Sequence, residues 1–396
     1  MDRAGRRVRS PRASSRGFRT LVVLVSLVAL VDTALYAALA PLLPHYEHAL
    51  GLSKAAVGGL VAAYPAGTLI GAVPGGVLAA KAGVRITVLS GLALMSVSIA
   101  VFGYAHTVGV LDGARFVQGV AGACTWAGGF AWLNASASPE RRGSMLGTVF
   151  GAAVAGAMFG PLVGVAAVRF GTGPTFVAAA VLGSLLMTAG LLTRAAQPPS
   201  GAPVVGLVAA LHDQRMSAGL GLTLLAGLAI GAFDVLVPLR LNRLGSSAVI
   251  IGAAFLGSAA LQTLLAPLMG RYADRRGRLH VVRLALMYGL GVCLLAPFIV
   301  PDWALLSLVV VGAPAFGMLF VPALALIGDG ADRRQLHHGL AFGLGNLSWA
   351  LGQAISAASS GALAQVTVDA VPFLLVGGAM AGTLLLSQLR PAVERS

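Results

Sequence analysis

The chain has 396 residues and a mean hydropathy of +0.88, with 57% hydrophobic and only 10% charged residues. This composition excludes a soluble globular protein, which could not bury so much apolar surface. The formal net charge of +14 would suit nucleic-acid binding, but its distribution between apolar runs indicates membrane topology instead, and we expect no nucleic-acid partner.

Apolar runs of about 20 residues recur along the chain, each long enough to cross the roughly 30 Å hydrocarbon core as a helix. Strands of an outer-membrane barrel would alternate in polarity instead. We therefore predict an all-α integral membrane protein with twelve transmembrane helices, which are numbered here as spans one to twelve: 20–43, 55–79, 86–105, 109–135, 144–167, 173–192, 218–241, 248–269, 280–300, 303–327, 339–363 and 371–389.

Basic residues predict the orientation of these spans. With both chain ends on one side, that side carries twenty-one Lys and Arg residues, and the other side carries only Lys54, Arg169, Arg240 and Arg243. Because cytoplasmic loops collect positive charge, both termini are expected in the cytoplasm of a bacterial cell, with the chain in its plasma membrane. The arginine-rich segment 1–19 is expected to be a lipid-facing cytoplasmic tail.

Span one carries an acid where lipid disfavours it. Asp32 lies about 18 Å into the roughly 30 Å core, and ionisable groups at such depth are candidates for function. Tyr36 follows one helical turn later on the same face and could bind a ligand. A structural ion pair is the alternative role for Asp32.

Span four contains Arg115, Gln118 and Gly119, followed by Gly122. Arg115 either acts within the membrane or extends to the outer interface, since it lies only about 9 Å in from the start of the span. If spans one and four face each other, Asp32 and Arg115 could meet. Further along, Trp126 and Asn134 could line a ligand pocket, although polar residues in spans more often connect helices.

Span five has a regular pattern of small residues. Glycines at four-residue spacing let two helices approach closely in lipid, and a proline adds a kink. An ordinary tight helix contact is the alternative to a functional motif. The residues that form the pattern are Gly147, Gly151, Gly156, Gly160, Pro161 and Gly164.

The segment 193–216 is the longest polar interruption, and it divides the chain into two similar halves. Gly51 and Gly245 precede corresponding spans and are 194 residues apart, as are Pro44 and Pro238. We predict a cytoplasmic tail at 1–19, a six-helix bundle at 20–192, a cytoplasmic linker at 193–216, a second six-helix bundle at 217–390 and a tail at 391–396.

A basic, glycine-containing turn follows the second span of each half. Glycines permit the tight turn, and the arginines favour the cytoplasm. A plain topology signal is the alternative reading. Asp274 in the second copy is expected to pair with a basic helix end, while Ala80 replaces it in the first. The copies comprise Gly76, Lys81, Gly83 and Arg85, and then Gly270, Asp274, Arg275, Gly277 and Arg278.

Two spans of the second half add polar candidates. Asp234 in span seven is a second possible proton carrier, although pairing with Arg240 or Arg243 is an equally plausible role. In span eleven, three residues share one helix face and could line a substrate cavity, or serve as contacts between helices: Asn346, Trp349 and Gln353.

These motifs resemble those of the twelve-helix drug:proton antiporters of the major facilitator superfamily. Span five resembles the antiporter motif G-x8-G-x3-G-P-x2-G-G, with Val165 in place of the last glycine; the second turn resembles G-x3-D-[RK]-x-G-[RK], and Arg115 to Gly119 resembles RxxQG. The resemblance implies two six-helix pseudo-repeats around a cavity, an arginine associated with proton movement, and a span-five motif that seals the halves on the outer side.

We therefore expect a monomeric secondary transporter that exports small amphipathic or cationic compounds in exchange for protons by alternating access. Asp32, Arg115 and Asp234 would couple protons, while Tyr36, Gln118, Trp126, Asn346, Trp349 and Gln353 would line the cavity. No G-x4-G-K-[ST] or metal motif is present, so we expect no ATP, cofactor or metal. A proton-coupled transporter of one metabolite is the alternative; a membrane enzyme or channel is more distant.

Overall fold

The computed structural model describes residues 15–136, 142–193, 211–334, 336 and 338–389, and these form helices joined by short turns. Most of the predicted tails and of the linker lies outside the described residues. The tail predicted at 1–19 is too long, because α1 already begins at Ser15. The side chains of Asn134 and Asp274 are also outside the description, although the backbone of each lies in a helix.

Six membrane crossings make up the N-terminal half. The first crossing continues from α1 through a 3-10 turn at Ala40–Leu42 into the short α2, where Pro41 and Pro44 begin new turns. The helices are α1 Ser15–Ala37, α2 Leu43–Leu50, α3 Lys54–Lys81, α4 Val84–Gly103, α5 Val108–Ser136, α6 Arg142–Phe170 and α7 Thr172–Leu192.

Six further crossings make up the C-terminal half. Its fourth crossing is divided into three helices near Ala313 and Leu319, a break that the predicted continuous span at 303–327 did not anticipate. The helices are α8 Gln214–Arg243, α9 Ala248–Arg276, α10 Arg278–Leu295, α11 Asp302–Gly312, α12 Pro314–Met318, α13 Phe320–Arg333, α14 His338–Val366 and α15 Ala370–Leu389.

The predicted fold class is confirmed. Ten of the described crossings are both long and apolar enough to span a membrane. The other two, α5 and α14, have 29 residues each and are therefore also long enough to cross. These two helices carry many of the polar candidates and pack centrally against α3 and α8.

The internal repeat recurs in backbone conformation. Gly51 and Gly245 both adopt positive φ angles, 62° and 96°, which favour glycine. Ser53 and Ser247 then cap α3 and α9 by accepting a hydrogen bond from the backbone N–H three residues on. Each pair is 194 residues apart, so the two halves begin their second crossing with the same turn and cap.

The turns lie on two faces of the bundle. We call the face with the beginning of α1 and the end of α15 the terminal face; it also carries the turns at Gly83 and Gly277. The turns near Gly51 and Gly245 lie on the other side, which we call the opposite face. The two halves meet chiefly where α3 packs on α14 and where α6 packs on α9.

The α3 and α14 backbones come close together toward the opposite face. A Cβ added at Gly58 would lie 2.5 Å from the Ala357 carbonyl oxygen and 3.1 Å from the Gly361 Cα. A Cβ at Gly361 would collide with the Lys54 carbonyl oxygen. Small residues thus allow close packing between the halves on this side.

The span-five glycines fall on two sides of α6. Gly156, Gly160 and Gly164 pack against the α1 backbone within the N-terminal half; a Cβ at Gly160 would lie 2.5 Å from the Ala37 Cβ. A Cβ at Gly147 or Gly151 would meet no described atom within 4 Å. The regular glycine pattern predicted for span five therefore does not form one packing surface, because the nine residues from Gly147 to Gly156 make two and a half helical turns.

The contact of α6 with the other half uses different residues of the same motif. A Cβ added at Gly252 of α9 would lie 2.5 Å from the Val165 Cγ2 atom and 3.4 Å from the Pro161 carbonyl oxygen. Val165 stands where the antiporter motif has its last glycine. The absent side chain at Gly252 provides the room that Val165 occupies.

Gly252→Ala is expected to force α6 and α9 apart and destabilise the protein by about 1–3 kcal/mol, the usual cost of overpacking. The stiff Val165 side chain cannot rotate away easily. Val165→Ala in the same chain should restore the lost stability. Thermal unfolding of the purified protein tests this: equal unfolding temperatures for the parent and Gly252→Ala would contradict the contact.

The arginines of the two basic turns bind different kinds of partner. In the first, Lys81 ends α3, Gly83 has a φ of 95°, and Arg85 donates to the Leu191 carbonyl oxygen within the same half. In the second, Gly277 has a φ of 89° and Arg278 pairs with Asp329. A Cβ at Gly76 or Gly270 would meet no described atom within 4 Å.

Acids other than Asp274 form the described ion pairs of the terminal face. Asp329 also binds Arg215 at 3.1 Å, and Asp213 binds Arg334 at 3.5 Å. Burial alone would raise the pKa of Asp213, but backbone N–H groups at the start of α8 and the nearby arginines hold it below its ordinary value. All these partners belong to the C-terminal half.

Candidate functional site

Asp32 is a buried carboxyl, only 1% exposed. The Tyr64 hydroxyl donates to its Oδ2 atom at 2.9 Å, and the Trp126 indole nitrogen donates to the same atom at 2.8 Å. The Oδ1 atom has no hydrogen-bond partner among the described residues. Since an unpaired buried acceptor is costly, this oxygen favours a proton or a ligand donor.

Arg115 is also buried, at 2% exposure, so it does not extend to the outer interface. Its guanidinium donates to the Gln118 side-chain oxygen at 2.8 Å and to the Leu35 carbonyl oxygen at 3.3 Å. Gln118 lies one turn along α5 and is itself buried.

The contact between Asp32 and Arg115 that we considered is indirect. The described residues contain no ion pair between them. Instead, the guanidinium carbon lies 5.1 Å from the Tyr64 ring centre and 5.9 Å from that of Tyr36, within range of cation–π attraction. Tyr64 therefore contacts both the cation and the carboxylate.

A second carboxyl faces this cluster from the C-terminal half. The Tyr36 hydroxyl donates to the Asp234 Oδ2 atom at 3.3 Å, and the Gln353 amide contacts both the Tyr36 hydroxyl and Asp234. The alternative partners of Asp234 are bound elsewhere: Arg240 donates to the Ile299 carbonyl oxygen, and Arg243 to Asp369. Tyr36 is thus a polar link between the two halves.

Aromatic rings extend from this centre toward the terminal face. Trp126 contacts Phe130 at 5.3 Å between ring centres, Phe130 contacts Phe150 at 5.6 Å, and Phe150 contacts Phe342 of the other half at 6.4 Å. Trp349 lies 5.7 Å from Tyr36. Such a surface suits flat apolar ligands.

The span-eleven residues occupy different environments along one face of α14. Gln353 is fully buried in the centre of the protein, whereas Asn346, two turns closer to the terminal face, is exposed. The polar face predicted for this helix therefore runs from the buried centre toward the terminal face.

The halves are also joined by ions at the opposite face. Lys54 of α3 pairs with Asp369, which precedes α15, at 2.5 Å, and Arg243 of α8 pairs with the other oxygen of Asp369 at 2.8 Å. Lys54 also donates to the Ala364 carbonyl oxygen at 3.2 Å. We call Lys54, Arg243 and Asp369 the opposite-face ion cluster.

Tyr64 was not predicted as a site residue from the sequence, although two glycines of α5 leave the space that it occupies. A Cβ at Gly119 would collide with the Tyr64 carbonyl oxygen, and a Cβ at Gly122 would lie 2.8 Å from its hydroxyl oxygen and 3.3 Å from both Asp32 carboxylate oxygens. The glycines beside Arg115 thus make room for a side chain on another helix.

The sequence is similar to known transport proteins. A family model described as Major Facilitator Superfamily matches residues 25–357 and 219–395. The Quinolone resistance protein NorA of Staphylococcus aureus (strain MSSA476) is 25% identical over 356 residues, covering 87% of this chain and 90% of that protein. The MFS-type transporter ppzB of Metarhizium majus (strain ARSEF 297) is 30% identical over 125 residues, covering 31% of this chain and 27% of that protein.

The fold is similar to that of a solved transporter. The crystal structure of the nucleoside transporter NupG superposes with a TM-score of 0.70, covering 93% of this chain and 98% of that chain at 12% sequence identity. At this identity the likeness concerns the fold alone.

Proposed function

The chain belongs to the Major Facilitator Superfamily, and on that premise we propose that it exports lipophilic cations in exchange for protons. It is a multi-pass membrane transporter rather than an enzyme. The more specific proposal concerns its substrate, its coupling ion and the residues that carry them.

The state of Asp32 is the observation that carries the proposal. It is a carboxyl buried in the membrane, bound by the neutral donors Tyr64 and Trp126, with one oxygen free of described hydrogen-bond partners. An isolated charge in this position is costly, so the carboxyl favours either a proton or a cation beside it.

Exchange follows if one site cannot hold both ligands. A cationic substrate stabilises the ionised carboxylate, and a proton removes the charge that attracts the substrate. Each form is then carried across when the halves rock about the site. The aromatic rings from Trp126 to Phe342 provide an apolar surface for the rest of the substrate.

Asp234, Tyr36 and Gln353 would form the C-terminal part of the same site. Because Tyr36 bonds across the interface, a substrate that contacts Asp234 must also replace or rearrange these hydrogen bonds. We propose that Asp234 supports proton coupling and that Trp349 and Asn346 contact substrate.

NorA is a quinolone resistance protein, and this similarity supports export of foreign compounds over transport of one metabolite. We retain transport of a single metabolite as the competing function, because NupG has the same fold and is a nucleoside transporter. The two functions differ in whether unrelated lipophilic cations are carried.

Everted membrane vesicles that contain the protein provide the test. Proton pumping should drive uptake of tetraphenylphosphonium, a permanent lipophilic cation, and an uncoupler should abolish that uptake. Vesicles without the protein give the background. Uptake no greater than this background would overturn the proposed function.

We further propose that both termini and the linker 193–216 are cytoplasmic, that the protein works as a monomer in a bacterial plasma membrane, and that the linker separates the bundles at 20–192 and 217–390. Excess positive charge on that side supports the orientation. A cysteine at Ser200, in a chain without Cys124 and Cys293, should resist an impermeant maleimide in intact cells and react after lysis. Reaction in intact cells would contradict this topology.

A further inference from the structure

We infer that Tyr64 is a positioning residue of the exchange step: its hydroxyl favours the ionised form of Asp32, which binds the cationic substrate. The inference rests on the proposed function and adds to it a residue that determines the pH range of substrate binding. Tyr64 belongs to α3 and forms no part of the three sequence motifs described above.

The position of Tyr64 is fixed on two sides. Tyr64 is only 5% exposed, and its hydroxyl donates to Asp32. Gly119 and Gly122 allow α5 to approach so closely that any side chain at Gly122 would displace the hydroxyl or the carboxylate. The tyrosine therefore has little freedom to leave its acceptor.

The surroundings of Tyr64 strengthen its hydrogen bond. The Arg115 guanidinium lies over the ring, and a cation there draws electron density from the phenol and makes the hydroxyl a better donor. Hydrogen bonds to an ionised carboxylate are roughly twice as strong as neutral ones. Tyr64 thus transmits the influence of Arg115 to Asp32 without a direct ion pair.

The charged and titratable groups around Asp32 come from several helices. Tyr64 contacts it from α3, Arg115 acts from α5, and Tyr36 lies one turn along α1. Asp234 lies beyond Tyr36 in the other half, while α6 packs on α1 through glycines. Among these groups, Tyr64 is the titratable residue with a described hydrogen bond to Asp32.

Tyr64→Phe keeps the ring, its contact with Tyr36 and its position beneath Arg115, but it removes the hydroxyl. Asp32 should then hold its proton to a higher pH. The pH at which tetraphenylphosphonium binding is half-maximal should rise by about one unit. At a pH well below that midpoint, the variant should therefore bind the cation about tenfold more weakly than the parent. At a pH well above the midpoint, the two proteins should bind it equally.

Tyr46→Phe is the matched control. Tyr46 is equally buried in the N-terminal half, packs on Phe102, and its hydroxyl has no hydrogen-bond partner among the described residues. Its variant should bind with the parent's pH midpoint. An equal shift in both variants would overturn the inference, because the loss of any buried hydroxyl would then suffice.

Gly122→Ala gives a second test that retains the tyrosine. The added Cβ crowds the Tyr64 hydroxyl and should also raise the pH midpoint of tetraphenylphosphonium binding. This variant therefore tests the role of the hydroxyl even if Tyr64→Phe does not fold. An unchanged midpoint in a folded Tyr64→Phe protein, while the parent binds in a pH-dependent way, would overturn the role of Tyr64 alone. Binding by the parent that does not depend on pH would overturn proton–cation competition itself.

Discussion

Asp32→Asn is expected to yield a folded, membrane-inserted protein that cannot export tetraphenylphosphonium against its gradient. Asparagine has nearly the same size and can still accept the hydrogen bonds of Tyr64 and Trp126 through its amide oxygen. It cannot ionise, so it neither attracts a cation nor carries a proton. The proton gradient should therefore no longer drive export of the cation.

The effect is measured as an accumulation ratio in everted vesicles with the membrane potential held at zero. The parent should accumulate the cation well above its outside concentration, and the ratio for Asp32→Asn should fall to about one, because an uncoupled carrier only equilibrates its substrate. Asp112→Asn is the control, since Asp112 is a different acid of the N-terminal half, is partly buried and has no described hydrogen bond to the site.

Undiminished accumulation by Asp32→Asn would remove this carboxyl from coupling and direct attention to Asp234. If Asp112→Asn also lost accumulation, the loss in Asp32→Asn would be explained by impaired folding after removal of a buried acid and not by loss of proton coupling. Thermal unfolding of both purified variants separates these two causes.

Lys54→Asp is expected to open the opposite face. In the structure Lys54 binds Asp369 across the two halves, with side-chain exposures of 25% and 10%. Reversing the lysine places two acids together and leaves Arg243 as the described cation of the cluster. A surface ion pair contributes little to stability, whereas breaking a buried pair costs several kcal/mol. Because this pair is partly buried, we expect the closed state to lose about 1–3 kcal/mol relative to the open state. This corresponds to roughly 5- to 150-fold in the opening equilibrium.

Spin labels can report this opening. His106 and Trp303 are exposed at the opposite face in separate halves, and cysteines there can be labelled in a chain without Cys124 and Cys293. The population with the longer label separation should increase in Lys54→Asp and fall again in the charge swap Lys54→Asp with Asp369→Lys. Arg243→Gln should have a smaller effect, since Arg243 and Asp369 lie in the same half.

Label distances unchanged by Lys54→Asp would show that the ion cluster does not hold this face closed. Opening that the charge swap fails to reverse would attribute the change to local damage rather than to the ion pair.

The ion cluster should be insensitive to pH in the physiological range. Burial alone would raise the pKa of Asp369, but hydrogen bonds from Lys54 and Arg243 and their charges hold it below its ordinary value. A lowered pKa means that the stabilising contribution is present above the ordinary value and is lost only as pH falls through the lowered one. We therefore expect the same label distances at pH 8 and pH 5 when Asp32 and Asp234 are both replaced by Asn.

Features that depend on local sequence were predictable. Helical rise predicts Asp32 near the middle of its span, and the 194-residue offset between Gly51 and Gly245 recurs in the structure as the same turn before α3 and α9. Apolar run length identified the crossings, apart from the division of the tenth into three helices.

Contacts between distant segments were not predictable. Lys54 and Asp369 are 315 residues apart, and nothing in either segment indicates the other. The glycine spacing of span five suggested one packing surface, but these glycines lie on two faces of α6, and the contact with the other half depends on Gly252, far along the chain. Tyr64 was missed because its role appears only when α3 and α5 are packed together.

Proton release by the purified protein tests proton–cation competition at Asp32 most directly. Tetraphenylphosphonium is added to the detergent-solubilised parent in weakly buffered solution near neutral pH, and the change in pH is recorded with Asp32→Asn as the comparison. The competition predicts that the parent releases protons when the cation binds and that Asp32→Asn releases none. Cation binding by the parent without proton release, or equal release by both proteins, would contradict it.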